Sequence, residues 1–227
     1  MSKSVALIHA TRAAIEPTHE AVHEALPDVE IVHYMDEALL KIAGDRGPTS
    51  PEVLRRLGRL IISAEEAGAS LVLMTCSSLT GNAETLEAMV RIPIVKIDTP
   101  MMERAVAFGG KIGVVATLAS AIDPAREQLE QIASNRGVAL EPRFVVVEGA
   151  FQALIEKDQE LHDQLVMKKV RVLARGCDAV VLAQASIARV AAREDLRVTI
   201  PVLTSPPLAA GRVKEILLRE EKAHPNA

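Results

Sequence analysis

The sequence has few aromatic residues, few cysteines and no long apolar run, and each shortage excludes a class of protein. One Tyr, three Phe and no Trp leave little material for the aromatic platforms on which single-stranded nucleic acids stack. Two cysteines are too few for a disulfide framework. No stretch approaches the roughly 18 apolar residues of a membrane span, and the first residues lack the apolar core of a signal peptide.

Positive charge is also scarce. The 227 residues carry 26 Lys and Arg against 30 Asp and Glu, a net charge of −4, and no basic run. Nucleic acids and anionic membranes both require clustered positive charge. We therefore expect a cytoplasmic protein with reduced thiols that binds a small molecule and neither nucleic acid nor membrane; a homo-oligomer remains open.

Short apolar runs alternate with longer segments of helical period. Most runs are continuous and β-branched, as is typical of strands covered on both faces of a parallel sheet. The eight runs are 5–9, 29–34, 71–74, 92–97, 112–116, 143–147, 179–183 and 200–204. Strands alternating with helices predict an α/β architecture with parallel sheets.

One helix has clear predicted limits. Segment 51–68 has apolar residues at helical spacing, Thr49 and Glu52 suit a capping box, and Pro51 suits the first turn. Gly68 is expected to end the helix. The preceding stretch 43–51, AGDRGPTSP, is rich in turn formers and predicts a loop that could act as a lid.

An internal repeat predicts two similar halves. VALIHAT, ending at Thr11, aligns with KIGVVAT, ending at Thr117; ASLVLMTCSS (69–78) aligns with CDAVVLAQAS (177–186), and RIPIV (91–95) with TIPVL (199–203). The three matches share nearly one shift along the chain. We expect two pseudo-symmetric domains, each a four-stranded parallel sheet flanked by helices: 1–97 plus 206–227, and 98–205. The last helix, about 206–223, is expected to cross back onto the first half.

Polar side chains follow the predicted strands, where ligands of open parallel sheets bind. Hydroxyls there suit a carboxylate or another small anion, although the same residues are common helix caps. Arg12 can pair with a substrate carboxylate or with surface acids. The substrate-binding candidates are His9, Thr11, Arg12, Ser77, Ser78, Thr117, Ser120, Gln184 and Ser186.

Cys76 is the strongest single candidate for a catalytic residue. It ends an apolar strand and precedes two serines and an expected helix start, whose dipole would lower the pKa of the thiol. The alternative is a small buried apolar residue. Cys177 lies at the far end of its strand from Gln184 and is interpreted as structural.

The strand-end cysteine in LVLMTCSS, the Ala-Thr turns at 10–11 and 116–117, the repeat and the length resemble the aspartate/glutamate/hydantoin racemase superfamily. The resemblance implies two α/β domains with the active site in the cleft between them, no cofactor, and a pair of cysteines that move a proton. It also implies a catalytic role for Cys76 and matches Ser77 and Ser78 to the polar residues that follow the family's cysteine. Thr117 and Ser120 match the hydroxyl turn that holds a substrate carboxylate in the family. Relatives include arylmalonate decarboxylase and maleate isomerase.

The second-half sequence departs from that pattern. VVLAQAS places Gln184 where the family commonly has a cysteine, and a carboxamide can hydrogen-bond but cannot take up and return a proton near neutral pH. The resemblance therefore implies a racemase-like isomerase with one catalytic cysteine, acting on an amino acid, a hydantoin or a dicarboxylate. The alternatives are a cofactor-free decarboxylase of malonates and a non-catalytic carboxylate-binding protein.

Two further signals concern metals and cofactors. HEAVH at 19–23 has the form of a zinc-protease motif, but it is short, lies between Pro17 and Pro27, and has no HxxGxxH extension. No GxGxxG or GxxxxGK segment is present, so nucleotide cofactors have no sequence support. We expect no metal and no cofactor.

Overall fold

The computed structural model describes residues 3–223, with side chains described up to Arg219. This part of the chain divides into two compact units, one made of residues 3–97 and 206–223, the other of residues 98–205. No helix within the described range is long and apolar enough to cross a membrane.

The first unit contains a four-stranded, all-parallel sheet in the order β2-β1-β3-β4. Its elements before residue 98 are β1 (Ser4–His9), α1 (Ile15–Ala25), β2 (Glu30–Met35), α2 (Ala38–Arg46), α3 (Pro51–Glu66), β3 (Leu71–Met74), α4 (Ala83–Glu87) and β4 (Ile94–Lys96). The two central strands, β1 and β3, are buried along their whole length.

The second unit repeats this topology in the order β6-β5-β7-β8, again all parallel. Its elements are α5 (Thr99–Phe108), β5 (Ile112–Ala116), α6 (Ile122–Arg136), β6 (Arg143–Val146), α7 (Ala150–Ile155), α8 (Gln159–Leu173), β7 (Ala179–Leu182) and β8 (Val202–Thr204). The final helix, α9 (Ser205–Ala223), lies almost wholly in the first unit, where the Lys3 ammonium donates to the Leu217 carbonyl at 2.6 Å.

The predicted fold class is confirmed. Each of the eight apolar runs overlaps one strand, and each half forms a four-stranded parallel sheet flanked by helices. The continuous apolar runs locate the strands well because a strand covered on both faces has no solvent side for polar residues.

Helix α3 begins and ends close to the predicted limits, but one of its caps differs. The first residue outside it is Ser50, and no side chain makes a capping hydrogen bond, so the predicted capping box is wrong. Glu52 instead forms ion pairs with Arg46 at 2.9 Å and Arg55 at 3.3 Å. At the other end Gly68 has φ +89°, and its amide and the next one bond back to the carbonyls of residues 65 and 64, the Schellman arrangement that glycine favours.

The predicted loop at 43–51 is largely helical. Helix α2 continues through Arg46 and buries Leu39, which leaves only residues 47–50 between α2 and α3. Gly44 is accommodated inside the helix, since glycine weakens a helix without forbidding it. Four connecting residues are too few for a closing loop, so the lid prediction is wrong.

The strand registers change the sequence alignment of β1 with β5 by one residue. Val5 pairs with Leu71, and Ile112 pairs with Ala179, the residue equivalent to Leu71. Val5 is therefore equivalent to Ile112, and Ala10, not Thr11, is equivalent to Thr117. The sequence alignment of the two Ala-Thr turns is therefore wrong by one position. The match of Cys76 with Gln184 holds, because each residue directly precedes a 3-10 segment after the equivalent strand.

Candidate functional site

Cys76 lies at the carboxyl end of β3, within the first unit. Its backbone is extended, with φ −111° and ψ 103°, and its side chain is partly exposed. It borders a narrow recess that leaves no room for a water-sized molecule. The other residues around the recess are Ile8, His9, Ala10, Leu39, Leu57, Met74 and Leu79. The thiol is partly exposed beside this mostly apolar recess.

The segment after Cys76 is not the α-helix start that the sequence predicts. Residues Ser77–Asn82 form a 3-10 helix, which leads into the five-residue α4. The Cys76 carbonyl accepts from the Leu79 amide at 2.9 Å, and the Ser77 carbonyl accepts from the Thr80 hydroxyl at 3.0 Å. Because the dipole of such short segments is small, the helix argument for a lowered thiol pKa is wrong. Ser77 is buried and Ser78 is partly exposed.

Gln184 occupies the corresponding place in the second unit, after β7. Its side-chain oxygen accepts from the Thr117 amide at 2.5 Å and from the Thr117 hydroxyl at 3.0 Å. These two donors fix which end of the carboxamide is oxygen, so the NH₂ group is the end left to donate elsewhere. They also correct the expectation for Thr117, whose amide and hydroxyl protons are directed at Gln184 and not at a carboxylate.

The other second-unit candidates differ in exposure. Ser120 is exposed within a 3-10 turn, Ala119–Ala121. Ser186 is partly exposed within the 3-10 segment Ala185–Ala192, and its carbonyl accepts from the Arg189 guanidinium at 3.0 Å. Both hydroxyls are reachable by a ligand.

Arg12, which follows β1, forms an ion pair within the first unit. Arg12 makes two hydrogen bonds to Glu37, each 2.9 Å, with its side chain 75% exposed. This fits the alternative that Arg12 binds a surface acid. Thr11, directly before it, is partly exposed and makes no capping bond.

His9, expected to bind substrate, is fully buried and already uses both ring nitrogens. Nδ1 lies 2.8 Å from the Thr75 hydroxyl, and Nε2 lies 2.9 Å from Nδ1 of His33. This geometry argues against direct substrate contact by His9. The sequence analysis missed the role of His33, because that role depends on which strand neighbours β1, and no local pattern reveals this. Burial, reinforced by the charge of His33, lowers the pKa of His9 from 6.5 to about 4.

The HEAVH histidines belong to the same cluster. Nδ1 of His19 lies 3.0 Å from Nε2 of His33, and the rings of His19 and His23 stack with their centres 6.1 Å apart. Within residues 3–223 no group of three or more His, Cys, Asp or Glu side chains is placed to hold a metal ion.

The buried imidazole of His9 predicts acid sensitivity. The unfolded chain takes up a proton near pH 6.5, whereas His9 in the folded protein resists protonation down to about pH 4. The free energy of unfolding should therefore fall by about 3 kcal/mol as the pH falls from 6.5 towards 4. Urea unfolding followed by circular dichroism from pH 7.5 to 4.5 should show this slope, and His9→Asn should flatten it. His23→Asn, at an exposed ring, serves as the control; an unchanged slope in His9→Asn contradicts the assignment.

The second unit contains a buried charged cluster that the sequence did not indicate. Asp163 on α8 is 3% exposed and accepts from Arg189 at 2.8 and 3.1 Å. Its neighbour His162 is fully buried, with Nδ1 2.7 Å from an Asp163 oxygen. Because Arg189 also bonds the Ser186 carbonyl, this cluster fixes the turn after Gln184.

Comparisons with known proteins agree with this architecture. A glutamate racemase from Trichodesmium erythraeum (strain IMS101) is 28% identical over 169 residues, which make up 69% of this chain and 60% of that protein. The match thus spans less than two thirds of that relative. An aspartate racemase from Picrophilus torridus superposes with a TM-score of 0.73 at 13% identity, over 95% of this chain and 94% of the other. Allantoin racemase from Klebsiella pneumoniae gives 0.68 at 20% identity, over 96% and 89%.

The structural likenesses, at such low identities, establish the fold alone. Membership of a family follows from the sequence itself. The profile of one family matches residues 6–213, which include nearly all of both sheets and the first nine residues of α9. The chain therefore belongs to the Asp/Glu/Hydantoin racemase family.

Proposed function

We propose that this protein is a cofactor-independent isomerase that acts in the cytoplasm on a small carboxylate, with Cys76 as its single proton-transferring thiol. The observation that carries the proposal is the contrast between equivalent strand ends: a partly exposed thiol follows β3, and a carboxamide follows β7. Family membership supports the reaction class. Both cysteines are free, as suits a reducing compartment.

The proposed chemistry begins with the Cys76 thiolate removing the proton next to the substrate carboxylate. The electron pair passes into the carboxylate as an enediolate, and the sulfur becomes S–H. Return of a proton to the opposite face, from water, inverts the centre. Hydrogen-bond donors lower the energy of the enediolate, an effect often worth about 3 kcal/mol per donor.

We also propose that hydroxyls and amides at the strand ends contact the substrate. Hydroxyl protons and the carboxamide protons of Gln184 are suited to oxygen atoms that gain negative charge. The proposed contact residues are Ser77, Ser78, Ser120, Ser186 and Gln184. The relatives named for glutamate and aspartate support a small carboxylate as the substrate, and the relative named for allantoin supports the hydantoin alternative.

Decarboxylation of a malonate is the second candidate, and the single thiol favours it. Loss of carbon dioxide leaves a carbanion that needs one proton on one face, which Cys76 alone can supply. Two-base racemisation needs a second acid or base, and Gln184 cannot act as one.

Incubation with a substrate panel in deuterated water, followed by NMR, tests these functions. The panel contains both enantiomers of aspartate and glutamate, allantoin, hydantoins, maleate and malonates. We expect deuterium at the carbon next to the carboxylate, or cis-trans conversion, without loss of carbon dioxide. Loss of carbon dioxide selects the decarboxylase instead. Binding without turnover overturns both enzymatic functions and leaves a carboxylate-binding protein.

A further inference from the structure

The segment that follows Gln184 in the second unit is longer than its own hydrogen bonds can support. Ala185–Ala192 is a 3-10 segment of eight residues, whereas 3-10 runs longer than three or four residues are uncommon because their hydrogen bonds are poorly aligned. Such a segment needs support from side chains. Arg189 within the segment and Asp163 on α8 supply this support, and we call these two residues the clamp.

The clamp is a forked ion pair. Nε of Arg189 donates to one oxygen of Asp163 at 3.1 Å, and one Nη donates to the other oxygen at 2.8 Å. His162 adds a third donor, because the carboxylate oxygen 2.7 Å from its Nδ1 can only accept. The Asp163 carboxylate is buried, so water competes little for its oxygens. Two parallel hydrogen bonds to a fixed carboxylate also fix the plane of the guanidinium.

The remaining arm of the guanidinium reaches the backbone beside Gln184. The other Nη of Arg189 donates to the Ser186 carbonyl at 3.0 Å. At the opposite end of the same peptide group, the Ile187 amide donates to the Gln184 carbonyl at 3.2 Å. The contacts therefore run without a break from Asp163, through Arg189 and one peptide group, to the backbone of Gln184.

The Gln184 side chain is held at its oxygen as well. That oxygen accepts from both the amide and the hydroxyl of Thr117. With the backbone held by the clamp and the oxygen held by Thr117, the NH₂ group of Gln184 has a fixed direction. A donor that is oriented in advance does not have to turn when negative charge develops on a substrate.

The first unit holds the equivalent turn without a charged pair. Counted from the matched residues Cys76 and Gln184, Gly81 occupies the place of Arg189. Neutral hydroxyl and carboxamide side chains hold the turn there, through hydrogen bonds to nearby carbonyls. The shared fold therefore does not require the clamp, which accompanies the carboxamide and not the thiol.

We propose that Asp163 and Arg189 are positioning residues that direct the NH₂ group of Gln184 at the substrate. This rests on the proposed function, in which that group donates to a substrate oxygen that gains negative charge. The clamp acts through the peptide group between Ser186 and Ile187 and needs no contact with the substrate. If the fork is lost, the segment can shift, and the donor is misplaced without being removed.

Arg189→Lys tests the clamp because it keeps the positive charge beside the buried carboxylate. One ammonium group cannot reproduce the fork to Asp163 together with the bond to the Ser186 carbonyl. Misplacing a group at a reacting centre by about 1 Å can cost about 100-fold in rate. For the substrate that is turned over, we expect kcat to fall by about 10–100-fold with KM nearly unchanged.

Asp163→Asn breaks the fork from the other side and should give a similar loss of kcat. Because both changes act through one carbonyl contact, the double variant Asp163→Asn/Arg189→Lys should lose no more kcat than either single variant. All three proteins are compared at a temperature at which circular dichroism shows them folded. Losses that multiply in the double variant contradict a shared route to Gln184.

The side-chain amide NMR signals of Gln184 report its position without turnover, and Gln184→Glu identifies these signals by their absence. Both clamp variants should move them. Arg193→Lys is the matched control, because Arg193 forms ion pairs with Glu160, Asp195 and the edge of Asp163 but lies outside the clamp. Its amide signals and its kcat should match the wild type.

The outcomes separate the two proposals. Gln184 amide signals that stay in place in both clamp variants overturn the positioning role whatever the activity. Clamp variants with wild-type kcat also overturn it, while the proposed function stands. A wild-type protein without turnover on the whole panel overturns the proposed function, and with it the claim that Gln184 is directed at a substrate.

Discussion

Replacing Cys76 with serine should lower kcat/KM by about 10²–10⁴-fold, the range that a positioned proton-transfer group contributes. Serine keeps the size of the side chain, but its hydroxyl does not ionise near neutral pH and cannot replace a thiolate. The recess beside Cys76 should keep its shape, so KM should change less than kcat. Steady-state kinetics on the substrate identified by the panel measures both effects.

Cys177→Ser is the matched control. Cys177 is 7% exposed, and burial raises the pKa of its thiol, so this variant should keep wild-type kinetics. Iodoacetamide should likewise modify Cys76 and spare Cys177. A Cys76→Ser protein with full activity contradicts the proposed mechanism. A Cys76 thiol pKa of about 8.5 or higher, measured from the alkylation rate against pH, indicates binding without catalysis.

Replacing Gln184 with glutamate should lower kcat/KM by about 10²–10³-fold, the loss measured when one donor to a developing oxyanion is removed. The substitution changes only one end of the side chain. The Thr117 amide and hydroxyl can still donate to one oxygen of the glutamate, so the side chain should keep its position. The other end changes from a donor NH₂ to a charged acceptor. A substrate carboxylate would then meet repulsion in place of a hydrogen bond.

Gln131→Glu adds the same charge at an exposed helical position of the second unit, where Gln131 bonds Asn135, and should leave the kinetics unchanged. Unfolding midpoints of the two variants should agree within experimental error. If Gln184→Glu retains wild-type kcat/KM, Gln184 does not contact the substrate and its role is confined to holding Thr117.

The strands were predictable because burial on both faces demands unbroken apolar runs, as in β1 and β3. The two Ala-Thr turns misled the alignment because identical dipeptides follow both strands while the backbone register differs by one residue. The predicted α-helix start after Cys76 is wrong for another reason. Residues SSLTGN have no helical apolar stripe, and their i to i+3 bonds are set by how tightly the chain must turn after β3.

Individual side chains show where a sequence stops being informative about a site. The position of Cys76 at a strand end followed from the apolar run before it. The use of Thr117 to hold Gln184, and the link from His9 to His33 and His19, depend on which strands are neighbours in the sheet. Neighbouring strands bring together residues that are far apart in sequence, and no spacing pattern in the sequence predicts such contacts.

The order of elements along the chain affects biosynthesis. Residues 98–205 are contiguous and leave the ribosome complete, whereas the unit begun at β1 still lacks α9 and its buried residues Ala209, Ala210, Val213 and Leu217. Nascent proteins generally fold from the N-terminal domain onward. Here the half that is translated first is completed last, because α9 follows the whole second unit along the chain.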